Sequence, residues 1–144
     1  MTHIHRHALL PYSCEQLFVL VNDVKAYPLY MAGCVGAEVL EHTAATMTAR
    51  LDLARGPVRQ SFTTRNQLTP FERIELTLVD GPFDNFEGHW VFHPLGDAAC
   101  KVTLDMHFAL SSRIASLAAG KLFQSVANQL VDALSNRARQ VYGR

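Results

Sequence analysis

The chain has 144 residues, 49% hydrophobic and 18% charged, with thirteen Lys and Arg balanced by thirteen Asp and Glu. That length suits one domain spanning 1–144 with one core. A net charge near zero gives no overall field to hold DNA or an anionic membrane, and no stretch of about 18 apolar residues offers a membrane span.

Residues 3–10 alternate weakly and read as a first strand, broken by Pro11-Tyr12-Ser13. Ser13, with Gln16 three positions later, has capping-box spacing, and Leu17, Phe18, Leu20, Val21 and Val24 supply an apolar face for a helix over about 14–24. Ala26 to Met31, with Pro28, reads as a short second helical turn.

Five runs of near-unbroken period-2 alternation follow, over 45–54, 58–68, 73–79, 86–93 and 100–110. Turn residues such as Arg55-Gly56-Pro57 and Gly81-Pro82 join them, so the expectation is an antiparallel meander of about six strands in all. A single amphipathic helix, about 112–142, closes the chain, with Leu122, Val126, Leu130, Leu134 and Val141 on its apolar stripe. A sheet that receives its only long helix last must wrap around it, which leaves an apolar hollow between the two.

The polar start, Met1 to His7, lacks the apolar core of a secretion signal, so a cytoplasmic location and at most peripheral membrane contact are expected. Cys14, Cys34 and Cys100 are widely spaced and are read as reduced, mostly buried thiols. His3, His5 and His7 share one strand face. Neighbouring pairs could hold a metal, but a solvated strand face is the plainer reading and no metal site is expected. His89, His93 and His107 also alternate to the polar side.

By phase, Met47, Leu51, Phe62, Leu76, Phe86, Trp90, Phe92 and Met106 face inward, and Leu122 and Val126 face them from the helix. Core packing accounts for such residues; the functional alternative is that part of this surface lines a ligand cavity. Thr64 and Asn66 fall in the same inward phase. They either satisfy a neighbouring strand or anchor a ligand's polar group. Asp52, Glu75, Glu87 and Asp105 alternate outward, which argues against acid–base catalysis in the hollow and against an enzyme.

Several runs carry a resemblance: Ala8-Leu9-Leu10-Pro11-Tyr12-Ser13, Leu20-Val21-Asn22-Asp23-Val24, Phe62-Thr63-Thr64-Arg65-Asn66-Gln67-Leu68, Leu78-Val79-Asp80-Gly81-Pro82-Phe83 and Trp90-x-Phe92-x-Pro94-Leu95. In order and spacing they resemble the ribosome association toxins of the coenzyme-Q-binding (Coq-type) branch of the START-like, polyketide cyclase superfamily. The resemblance spans essentially the whole chain. It implies an α+β helix-grip fold, a curved antiparallel β-sheet wrapped around a long C-terminal helix. It further implies a bound ubiquinone or related isoprenoid lipid in support of respiration, or docking on the large ribosomal subunit as a toxin that blocks subunit association. Arg55, Arg59, Arg113, Lys121 and Arg137 are then the candidates for ribosomal contact, with ordinary solvated charge as the alternative. A polyketide cyclase or aromatase activity is the competing expectation. The hollow's mouth is expected near Tyr27–Gly36 and Gly81–Phe86, whose glycines and prolines allow a loop to move.

Overall fold

This computed structural model describes residues 2–111 and 117–143, and the expected start of the last helix and Arg113 lie outside them. The elements run β1 (Thr2–Leu10), α1 (Cys14–Asn22), a 3-10 turn (Val24–Ala26), α2 (Tyr27–Tyr30), β2 (Cys34–His42), β3 (Thr46–Arg55), β4 (Val58–Thr69), β5 (Arg73–Asp80), β6 (Phe83–Pro94), β7 (Cys100–Leu110) and α3 (Leu117–Tyr142). All strands join one antiparallel sheet in the order β1-β7-β6-β5-β4-β3-β2.

Helix α3 touches β1 and β7 at one side of the sheet and β3 and β4 towards the other. From β1 to β3 is five strand spacings, about 24 Å in a flat sheet at about 4.8 Å each. A helix is only about 10–12 Å across with its side chains, so the sheet must curl around it. Irregularities of register in β2, between β4 and β5 and at the start of β6 supply bends of the kind that tighten twist and curvature. The result is the helix-grip architecture anticipated above.

The count of strands needs correction. The meander has seven strands, because Cys34–His42 pairs with β3 as an edge strand. Its register shifts twice, between Cys34 and Gly36 and between Val39 and Glu41, so no period-2 pattern survives in the sequence.

Local chemistry sets the other boundaries. Ser13 Oγ accepts from the Gln16 N–H at 3.1 Å and the Ser13 N–H donates to Gln16 Oε1 at 2.9 Å, a closed capping box at the start of α1. Leu122, Leu134 and Ala138 of α3 are buried to 1% exposure or less, whereas Val141, expected on the same stripe, is 47% exposed. Tyr142 instead anchors that end, its hydroxyl donating to the Gln16 carbonyl at 2.8 Å. No helix among the described residues is long and apolar enough to cross a membrane.

Candidate functional site

The sheet and α3 enclose a cavity of about 80 Å³. One wall is aromatic: Phe62, Phe83, Phe86, Phe108 and Phe123 form a cluster with ring centroids 4.7–5.8 Å apart. Such edge-to-face and tilted contacts suit the quadrupole of the rings. Facing it, Val126, Ala127 and Leu130 of α3 and Ala49, Leu51 and Leu53 of β3 complete the apolar surface. Val24, Tyr27, Met31 and Cys34 add to the lining from the α1–β2 connection.

Two neutral polar side chains project from β4 into this apolar space. Thr64 and Asn66 are 8% and 7% exposed, and the Thr64 hydroxyl donates to Asn66 Oδ1 at 2.8 Å. Because a hydroxyl can donate or accept, the pair can turn either an amide N–H or a carbonyl towards a cavity occupant. The ionisable groups on the lining are the Tyr27 phenol and the Cys34 thiol. Burial pushes both above their ordinary values, so both are neutral at physiological pH. The Tyr27 hydroxyl donates to the Val21 carbonyl, and the Cys34 thiol to the Gly36 carbonyl at 3.4 Å. Among the described residues, the lining therefore holds no carboxylate, imidazole or ammonium group.

Both of the segments named above contribute residues to the lining. Tyr27, Met31 and Cys34 come from one and Phe83 and Phe86 from the other. Gly33 has φ +90°, and a Cβ at that position would meet Val126 Cγ2 at 2.9 Å. Close approach of this loop to α3 thus depends on a glycine.

Leu51, Phe62, Thr64, Asn66, Leu76 and Phe86 meet at the cavity, as do Trp90, Met106 and Val126. Met47, Phe92 and Leu122, expected with them, are not part of this lining. Met47 is buried at the far end of β3, beside the Asn22–Lys25 turn. Phe92 packs on Phe18 and stacks beside Trp90, and Leu122 lies under Gly33. Tyr27, Met31 and Cys34 fall in a segment expected beside the hollow but were not singled out within it, because a connecting segment carries no inward phase to read.

The basic candidates separate. Arg55 and Arg59 flank the β3–β4 turn and are exposed, and Arg55 Nη2 donates to Ser125 Oγ at 2.8 Å. Exposed Lys121 lies one helical turn before Ser125, so this hairpin and α3 share a basic corner. Arg137 is elsewhere and only half-exposed. Its guanidinium lies 5.2 Å from the Tyr30 ring centroid with Nε buried, which makes it a packing residue and not a free surface charge.

The profile described as "Polyketide cyclase / dehydrase and lipid transport" matches residues 10–135. The chain belongs to that polyketide cyclase and lipid transport family. Within it, "Ribosome association toxin RatA" of Vibrio cholerae serotype O1 is 47% identical over 143 residues, covering 99% of each chain. "Coenzyme Q-binding protein COQ10 homolog B, mitochondrial" of Xenopus laevis is 29% identical over 140 residues, covering 94% of this chain and 57% of that protein. A solved START superfamily protein from Mycobacterium smegmatis superposes with a TM-score of 0.77 at 22% identity, over 96% of this chain and 98% of that one. The family's fold is thus START-like.

Proposed function

We propose that the protein binds an apolar ligand of the isoprenoid quinone class between sheet and helix without acting on it chemically. The observation that carries this reading is the enclosed apolar cavity with one neutral polar pair, Thr64 and Asn66, set into its wall. A quinone presents carbonyl acceptors and an apolar tail, which match an amide donor within an aromatic and aliphatic lining. The likeness to a coenzyme Q-binding protein supports the same ligand class.

At about 80 Å³ the cavity is well below the roughly 300–1,000 Å³ of typical small-molecule sites. Ligand entry therefore requires the lining to move. Met31, just after α2, and Met106 on β7 have the flexible side chains for it. A cyclase or aromatase would need an acid or base near the reacting carbon, and among the described residues the lining offers only the neutral Tyr27 phenol and Cys34 thiol, each already donating to a backbone carbonyl.

A second reading rests on a different observation. The full-length likeness to a ribosome association toxin, together with the exposed Arg55, Arg59 and Lys121 corner, supports docking on the large ribosomal subunit. The two roles use opposite surfaces and are compatible.

The test is organic extraction and native mass spectrometry of protein purified from cells. A co-purifying isoprenoid quinone near one per chain is the expected result. A chain that purifies without one, and does not take up added ubiquinone, overturns the ligand reading and leaves the ribosomal one.

A further inference from the structure

On the outer face of the sheet, the antiparallel register places six metal-ligating side chains in two rows across β1, β7 and β6. His3 pairs with His107, and His107 with Glu87; in the next row His5 pairs with Asp105, and Asp105 with His89. Side chains of directly paired residues on one sheet face stand only about 4.5–5.5 Å apart at Cβ. Period 2 then brings the two rows onto the same face.

The centre of this array converges. His3 Nε2 lies 2.9 Å from Asp105 Oδ1, and His107 Nε2 lies 3.4 Å from the same oxygen. The His3 and His107 rings stack with centroids 4.0 Å apart at 14°. The nearest ligand atoms of His3, Asp105 and His107 all lie within 4.8 Å of one another. Two donors that each sit about 2.0–2.1 Å from a tetrahedral ion are separated by roughly 3.3 Å, and the two imidazole–carboxylate distances, 2.9 and 3.4 Å, lie on either side of that spacing. His5 Nδ1 lies 3.2 Å from Asp105 Oδ2, so it orients the carboxylate while leaving Oδ1 to the centre.

We infer that His3, Asp105 and His107 form a binding site for a zinc-class divalent ion on the outer face of the sheet. Two imidazoles and one carboxylate suit Zn²⁺ and its neighbours in the first transition row over the hard, oxygen-seeking Mg²⁺ and Ca²⁺. His5 acts as a positioning residue through Asp105. The ion would join edge strand β1 to β7, and Met106 and Phe108 of β7 line the cavity on the opposite face. This site is separate from the cavity and does not rest on the ligand reading.

The experiment is calorimetric titration of ZnCl₂ into the untagged, chelator-stripped full chain at neutral pH, with Co²⁺ absorption as a report on coordination geometry. One saturable site, a tetrahedral-type Co²⁺ spectrum and a raised Tm on adding Zn²⁺ are expected. His107→Gln and Asp105→Asn should each weaken Zn²⁺ binding about tenfold or more, and His5→Gln by a smaller factor in the same direction. His42→Gln, at the remote edge strand, should leave it unchanged. Absence of saturable binding overturns the proposal, as does an isotherm that His107→Gln and His3→Gln leave unaltered. All these side chains are at the surface, and circular dichroism of each variant verifies that the fold is kept.

Discussion

At the scale of single residues, the cavity's character is decided by Asn66. Its amide is the polar group a quinone carbonyl would meet, and it is already oriented by Thr64. Asn66→Leu is expected to lower affinity for a short-chain ubiquinone about fivefold, the worth of one neutral hydrogen bond of about 1 kcal/mol. Unfolding should stay cooperative, with fluorescence titration and urea denaturation as the two readouts. Asp52 makes a different prediction. Its carboxyl is held below the usual carboxylate range, first by the Ser61 hydroxyl at 2.7 Å and then by Arg50, with burial opposing them. The lowered folded pKa means that this stabilisation is fully present above the unfolded value of about 3.9 and is lost as pH falls through the folded value. The stability gap between wild type and Asp52→Asn in urea should thus be largest near neutral pH and shrink below about pH 4. Alternation made the inward face of each strand legible, which is why Phe62, Asn66 and Met106, read as inward, are among the residues that line the cavity. It cannot say where along a strand the cavity lies, so Met47 and Phe92, in phase but beyond its ends, were included with them.

At the scale of elements, the α1–β2 connection is the part of the site where the sequence pointed to a segment without resolving its individual residues. β2 carries two bulges and exposed Val35 and Leu40, which erase the period-2 signal, and the preceding loop has no period at all. What specifies this connection is contact with α3 at Gly33, whose carbonyl also accepts from the Ala54 N–H at 2.9 Å. Gly33→Ala should destabilise by about 2–4 kcal/mol, combining a left-handed backbone penalty with crowding against Val126. Gly96→Ala separates the two causes. It has φ +108° with nothing within 4 Å of a new Cβ, so only the backbone part should appear in its urea midpoint. Recovery of part of the Gly33→Ala loss by adding Val126→Ala would verify the crowding.

At the scale of the whole molecule, two surfaces divide the proposed work. The cavity is apolar and internal, whereas Arg55, Arg59 and Lys121 gather outside where the β3–β4 hairpin meets α3. If these cations meet ribosomal phosphates, co-sedimentation with large subunits should fall steeply between about 50 and 200 mM salt. The triple substitution Arg55→Ala, Arg59→Ala, Lys121→Ala should weaken it and flatten that dependence, while leaving quinone uptake intact. The helix-grip arrangement itself was legible from the order of patterns, because six alternating runs and one terminal amphipathic helix admit few ways to bury both. The first and last strands of that sheet are neighbours, joined by residues such as His3 and Asp105 that stand 102 positions apart in the chain. A ribosome making this protein must therefore release nearly all of it before β1 can find its partner. Until then β7 has an open edge and Ile4 no core to enter. Pairings of such long sequence separation place folding towards the slow, millisecond-to-second end of the range for small domains. The closing step of synthesis is thus also the interval in which the half-built sheet is most exposed to aggregation.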